Sequence, residues 1–231
     1  MDIFNEWLVF SLATLAVWFI IFIFRKGLRK EMLWASILTA PLGLSEILFV
    51  PEYWNPPSLF DLNLRTSFDI ESIIWAFAVG GIASVLYEIV FRSNHKKINK
   101  HEMGKSRHRW HLLALTSPIF FYLVLQAFTG INTIYSGSIA MFFGGIAIIL
   151  CRPDLRKKML VGGILFLALY FTGFFLFFNF IYTDAVRQIW NLSAISGILI
   201  FGIPIEELLF AFTFGMMWSG IYEHVKWYKL K

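Results

Sequence analysis

Residues 7–24, WLVFSLATLAVWFIIFIF, carry no charged side chain. A helix of roughly 20 apolar residues crosses a bilayer, so this run is long enough to span. Comparable runs lie near 32–50, 70–91, 110–128, 134–151, 159–182 and 194–223, and they predict seven membrane-spanning helices. In hydrocarbon every backbone N–H and C=O must be satisfied inside the span, so the expected fold is an all-α integral membrane bundle. Residues 1–231 read as one membrane domain. The composition agrees, with 58% hydrophobic and 15% charged residues, whereas soluble domains run near a quarter charged.

The net charge of +5 is gathered in three clusters, RKGLRK (25–30), RSNHKKINKHEMGKSRHR (92–109) and RPDLRKK (152–158). The alternating segments 51–69, 129–133 and 183–193 contain only Arg65 and Arg187 among their basic residues. Basic loops stay in the cytoplasm, which predicts an external N-terminus and a cytoplasmic C-terminal VKWYKLK. Charge used this way sets topology, and no nucleic-acid partner is expected. The start MDIFNEW is acidic and leads into a full span, so no cleaved leader is expected either. The single Cys151 can form no intrachain disulfide, and no metal cluster is expected around it.

The chain repeats itself. FDIESIIWAFAVGGIASVLYEIV (68–90) and IPIEELLFAFTFGMMWSGIYEHV (203–225) share nine identities in 23 ungapped positions, among them Glu71/Glu206, Ser84/Ser219, Tyr87/Tyr222 and Glu88/Glu223. Upstream, Trp54-Asn55 is echoed by Trp190-Asn191. Apolar composition explains matched Ile or Val, but not matched Glu, Tyr-Glu and Trp-Asn. The architecture predicted is two parallel three-helix repeats, about 1–94 and 131–231, joined by a linker loop and helix over about 95–130.

The acids then divide by depth. Glu88 and Glu223 fall at the cytoplasmic ends of their helices, beside Arg92 and Lys226, and read as interfacial anchors with Tyr87 and Tyr222. Glu206 and Glu207 are placed more than ten residues inside the seventh helix. There Pro204 removes a backbone hydrogen bond and should kink or break the helix. A charged carboxylate at membrane depth is costly, so such acids usually face an interior site. Crowding with Glu71 would leave at least one of them protonated, which suits a general acid acting on an apolar molecule. The bland alternative is a structural hydrogen bond, or an ion pair with Arg65 or Arg187. Trp75, Phe77, Phe210, Phe212, Phe214 and Trp218 flank the acids, and aromatic faces attract cations.

Pro204-Ile205-Glu206-Glu207 before a Leu/Phe-rich stretch, Tyr53-Trp54-Asn55-Pro56, Trp190-Asn191 and the two-fold repeat together resemble the membrane-integral lycopene cyclase domain family. The resemblance covers nearly the whole chain. The first repeat departs from it, since Asp69-Ile70-Glu71-Ser72 stands where Pro-x-Glu-Glu would. The resemblance implies a redox-neutral, acid-catalysed ring closure on the end of a linear carotenoid. It marks Glu206 or Glu207 as the acid and Glu71 as the partner carboxylate or base. Its motif residues Trp54, Asn55, Trp190, Asn191 and Pro204, together with Trp75, Phe210 and Trp218 from the aromatics flanking the acids, are the candidate substrate-binding residues. The implied partner is an apolar polyene within the bilayer. No metal or other cofactor is required by that chemistry, and self-association is left open.

Other functions fit less well. A small parallel-repeat transporter is the main rival, but a polar solute's path wants Asn, Gln and Ser where helices three and seven carry Phe, Trp, Ile and Leu. A non-catalytic isoprenoid-binding protein is the other alternative. A retinal photoreceptor needs a lysine in its last helix, and 194–223 has none. A di-iron oxygenase needs histidine boxes from several segments. Here His95, His101, His108 and His111 read as one solvated basic loop and helix start, with His224 alone elsewhere.

Overall fold

The computed structural model describes residues 5–104 and 106–231. It is mostly helical. In chain order the helices are α1 (Glu6–Phe24), α2 (Arg29–Thr39), α3 (Leu62–Thr66), α4 (Ile70–Phe91), α5 (Lys100–Met103) and α6 (His111–Thr129). They continue with α7 (Thr133–Cys151), α8 (Arg156–Leu176), α9 (Ala185–Ile189), α10 (Ile205–Trp218) and α11 (Ile221–Lys226). Two small antiparallel ladders complete the fold. One pairs β1 (His95–Lys97) with β4 (Tyr228–Leu230), and the other pairs β2 (Leu199–Ile200) with β3 (Ile203–Pro204).

Five helices among the described residues are long and apolar enough to cross a membrane: Glu6–Phe24, Ile70–Phe91, His108–Thr129, Thr133–Cys151 and Pro153–Ile181. Phe24, Leu112, Phe128 and Leu150 are largely exposed on them. Such faces suit lipid.

Two expected spans differ. The run 32–50 leaves α-helix at Thr39 and tightens into a 3₁₀ stretch, Ala40–Leu48, with Pro41 near its start. The missing Pro N–H and its ring are poorly compatible with a continued α-helix. The run 194–223 is not one helix. Residues 199–204 form the β2–β3 hairpin, turned by Phe201 and Gly202 with φ of 51° and 80°. Helix begins only at Ile205, directly after Pro204, so Glu206 and Glu207 stand in a first turn rather than deep within a span. Pro204 does break the helix, but by preceding its start. The aligned residue Ile70 opens α4 in the same manner.

The chain divides into two compact units that cut across the sequence halves. The first comprises Met1–Ile82 and Tyr170–Leu208, the second Ala83–Leu169 and Leu209–Lys231. Within the first, α4 lies so close to α2 that a Cβ on Gly80 would strike the Thr39 side chain, and one on Gly81 would strike Ser36 and Trp18. Close approach through small residues is how helices gain dispersion contacts where lipid removes the hydrophobic drive. Phe10, Phe174, Phe177 and Phe178 pack together in the same unit.

The second unit uses the same device. Gly162 admits Ser219, Gly145 admits Met216, and Gly215 admits the Phe166 ring. Its polar centre corrects an expectation. Glu88 and Glu223 are not interfacial anchors but are buried around Lys158, whose Nζ lies 2.5 Å from each. His95 Nε2 lies 2.6 Å from Glu223 as well. A buried cation shared by two carboxylates avoids the large penalty of an unpaired charge. Because Lys158 stands at the end of a basic cluster, its sequence position favoured a solvated reading.

Candidate active site

The first unit brings five acids, four indoles and two phenols into one region. Glu207, 5% exposed, is its best-held member. Its Oε1 accepts from the Tyr53 hydroxyl at 2.5 Å and from the Trp190 indole N–H at 2.8 Å. Its Oε2 accepts from the Tyr170 hydroxyl at 2.5 Å. Burial and the neighbouring Glu207 charge hold the Tyr53 phenol well above its usual range, so it stays a donor. Three donors on two oxygens fix the orientation of the carboxyl.

Glu71 and Glu206, matched in the repeat, share a different task. Glu71 Oε1 accepts from the backbone N–H of Leu59 at 2.7 Å and the Asn5 amide at 3.1 Å. Glu206 Oε1 accepts from the backbone N–H of Ser196 at 3.0 Å. Each acid, in the first turn of its helix, pins the loop that precedes it. The donors are uncharged, while Arg65 and Arg187 are exposed.

Position 72, where the second glutamate is missing, is not vacant of acid. The Ser72 hydroxyl donates to Glu46 Oε2 at 3.1 Å and accepts from the Trp7 indole at 3.1 Å. Asp69 caps the same turn by accepting from the Ser72 amide at 2.5 Å. Burial pushes the Asp69 carboxyl up to about 6, against the lowering pull of that amide. Glu46 is buried, has no hydrogen-bond partner on Oε1, and feels the charges of Asp69 and Glu207. Its carboxyl therefore enters from the 3₁₀ stretch where the motif lost its own.

The two Trp-Asn segments meet. Trp54 and Trp190 form an antiparallel bridge, with Asn55 N–H donating to Ile189 O and Asn191 N–H donating to Tyr53 O. Their rings lie 5.4 Å apart, and Trp54 stands edge-on to Trp7 at 4.6 Å. Trp7 contacts Trp75 at 5.7 Å, and Trp75 contacts Tyr170 at 6.3 Å. The aromatic faces thus run from Ser72 to Glu207.

Among the candidate binding residues, Trp54, Trp75 and Trp190 line this region. Asn55 and Asn191 act through their backbones, and the exposed Asn191 side chain accepts from Ser193. Pro204 is buried in β3, paired with Leu199. Phe210 and Trp218 belong to the second unit, where both stack on Phe214. Sequence reasoning missed Glu46, Tyr53, Tyr170, Trp7 and Asp69's cap. A lone acid inside the apolar run 32–50 was the available signal for Glu46, since intramembrane acids are functional by default.

A family model described as Lycopene cyclase matches residues 5–90 and 132–225. Searches of curated proteins and of solved structures find no match.

Proposed function

Because the chain belongs to the lycopene cyclase family, we propose that it is an enzyme that closes a ring on the end group of a linear, lycopene-type carotenoid by acid catalysis. The observation that carries the mechanism is a pair of buried acids in unlike surroundings among aromatic rings. Glu207 has three close donors, whereas Glu46 is held by the Ser72 hydroxyl with the Trp54 indole N–H as its further polar neighbour. A buried carboxyl with little hydrogen bonding is best held neutral, and a well-donated one best held charged. Pairs whose surroundings push them apart in this way divide acid and base roles.

Glu46 then gives its proton to the terminal double bond. The tertiary cation formed is attacked by the neighbouring olefin, which closes a six-membered ring and moves the cation into it. A ring C–H proton leaves for Glu207, and the cycle resets when Glu207 gives that proton up to solvent and Glu46 takes a fresh one from solvent. No electron changes hands. The rings of Trp7, Trp54, Trp75 and Trp190 offer π-faces to the passing cation, each contact being worth on the order of 1–2 kcal/mol when water is absent. Glu71 and Glu206 position the loops that carry this lining.

The charge alternation supports an external N-terminus and a cytoplasmic C-terminus within a seven-span, two-repeat arrangement. The two matched stretches, each ending on one of the aligned blocks, support the same arrangement. The activity is tested by expression in a bacterium that accumulates lycopene, with pigments separated by chromatography. A cyclised pigment is expected. Unchanged lycopene, with the protein present in the membrane, would overturn the proposal.

A further inference from the structure

The second unit gathers four metal-binding side chains that the ring-closing chemistry does not use. His108 precedes α6, His111 opens it, Cys151 ends α7 and His224 lies in α11. The solvated-loop reading is overturned for His108, which is 6% exposed, while His224, outside that loop, is 0% exposed and Cys151 is buried as well. Cys151 Sγ lies 3.6 Å from His108 Nδ1 and 3.9 Å from His111 Nδ1. Ligand atoms of His111, Cys151 and His224 all fall within 4.8 Å of one another. Across a tetrahedral zinc ion the sulfur and nitrogen ligands stand about 3.5 Å apart, given Zn–S near 2.3 Å and Zn–N near 2.0 Å.

His224 supplies the second observation. Its Nε2 meets the His111 carbonyl oxygen at 3.4 Å, while its Nδ1 is buried with no hydrogen-bond partner. A ring nitrogen tied to a backbone carbonyl, with the other lone pair left for an ion, is the usual outer-shell arrangement of a ligating histidine. Burying that lone pair unused would otherwise cost free energy.

We propose that His108, His111, Cys151 and His224 form a structural zinc site. His111 is half-buried and stacked between His224 at 3.9 Å and Trp227 at 4.2 Å, its ring parallel to that of His224, so ligation requires a rotation of the His111 ring toward the ion. The ion would tie the start of α6, the end of α7 and the C-terminal helix together. One thiolate and three imidazoles suit a borderline-soft ion in tetrahedral geometry.

The test uses the purified full chain in detergent, titrated with Co²⁺ and then with Zn²⁺. One equivalent of cobalt should give tetrahedral d–d bands and a thiolate-to-cobalt charge-transfer band, both removed by zinc. Cys151→Ser should abolish the charge-transfer band, and His224→Ala should weaken zinc binding by at least about 100-fold, beyond the usual effect of an outer-shell change. Wild-type protein that shows neither band at saturating cobalt and retains no zinc would overturn the site, whatever the variants do. Pigment conversion is measured separately, so cyclase activity and zinc binding can fail independently.

Discussion

Glutamine at position 207 keeps the shape of the side chain and an acceptor for Tyr53, but it can neither carry the charge nor take up a proton. Glu207→Gln is therefore expected to lower lycopene conversion by at least about 100-fold, the usual scale for removing a general acid or base. Glu46→Gln should do the same. Glu71→Gln and Glu206→Gln keep a carbonyl oxygen for the Leu59 and Ser196 amides and should stay within about tenfold of wild type. Pigment chromatography normalised to membrane protein checks all four. The paired glutamates were legible in the sequence because the motif and the repeat both point at them. Their division of labour was not, because adjacent residues on a helix face different neighbours, and which acid meets phenols and which meets a backbone amide is decided by distant loops. Glu46 was hidden by having no motif of its own.

At the level of elements, the site depends on where α10 starts. The β2–β3 hairpin and Pro204 deliver Glu206 and Glu207 as a first turn, and Gly202 makes the hairpin possible. Its φ of 80° is strained for any residue with a Cβ, and a Cβ there would come 2.6 Å from Asn179 Oδ1. That same Asn179 donates to the Phe201 carbonyl at 3.0 Å. Gly202→Ala should cost about 1 kcal/mol in backbone strain and shift the helix start. The expected result is about a tenfold loss of conversion with unchanged membrane abundance by immunoblot. Most helices were readable from apolar runs alone. The hairpin was not, since residues 194–204 are as apolar as a span, and only turn geometry separates them from helix.

For the molecule as a whole, hydropathy and alternating charge made a membrane protein legible, while the division into two units was not. Helices α4, α8 and α10 each pass from one unit to the other, so the sequence repeat and the compact units follow different boundaries. The basic loops predict that a fluorescent protein fused after Lys231 lights up in the cytoplasm, and that an alkaline phosphatase fused there is inactive. An active phosphatase would reverse the proposed orientation. Burial of His108 was likewise invisible in sequence, because a histidine in a basic loop looks solvated until the chain end folds back on it.

Isotope tracing reaches the chemistry most directly. Purified protein in lipid, given lycopene in D₂O over many turnovers, should release a product carrying a single deuterium for each ring formed, by mass spectrometry, with no change in oxidation level. Product rings formed without deuterium, or with a loss or gain of hydrogen, would contradict protonation of the polyene by an enzyme carboxyl.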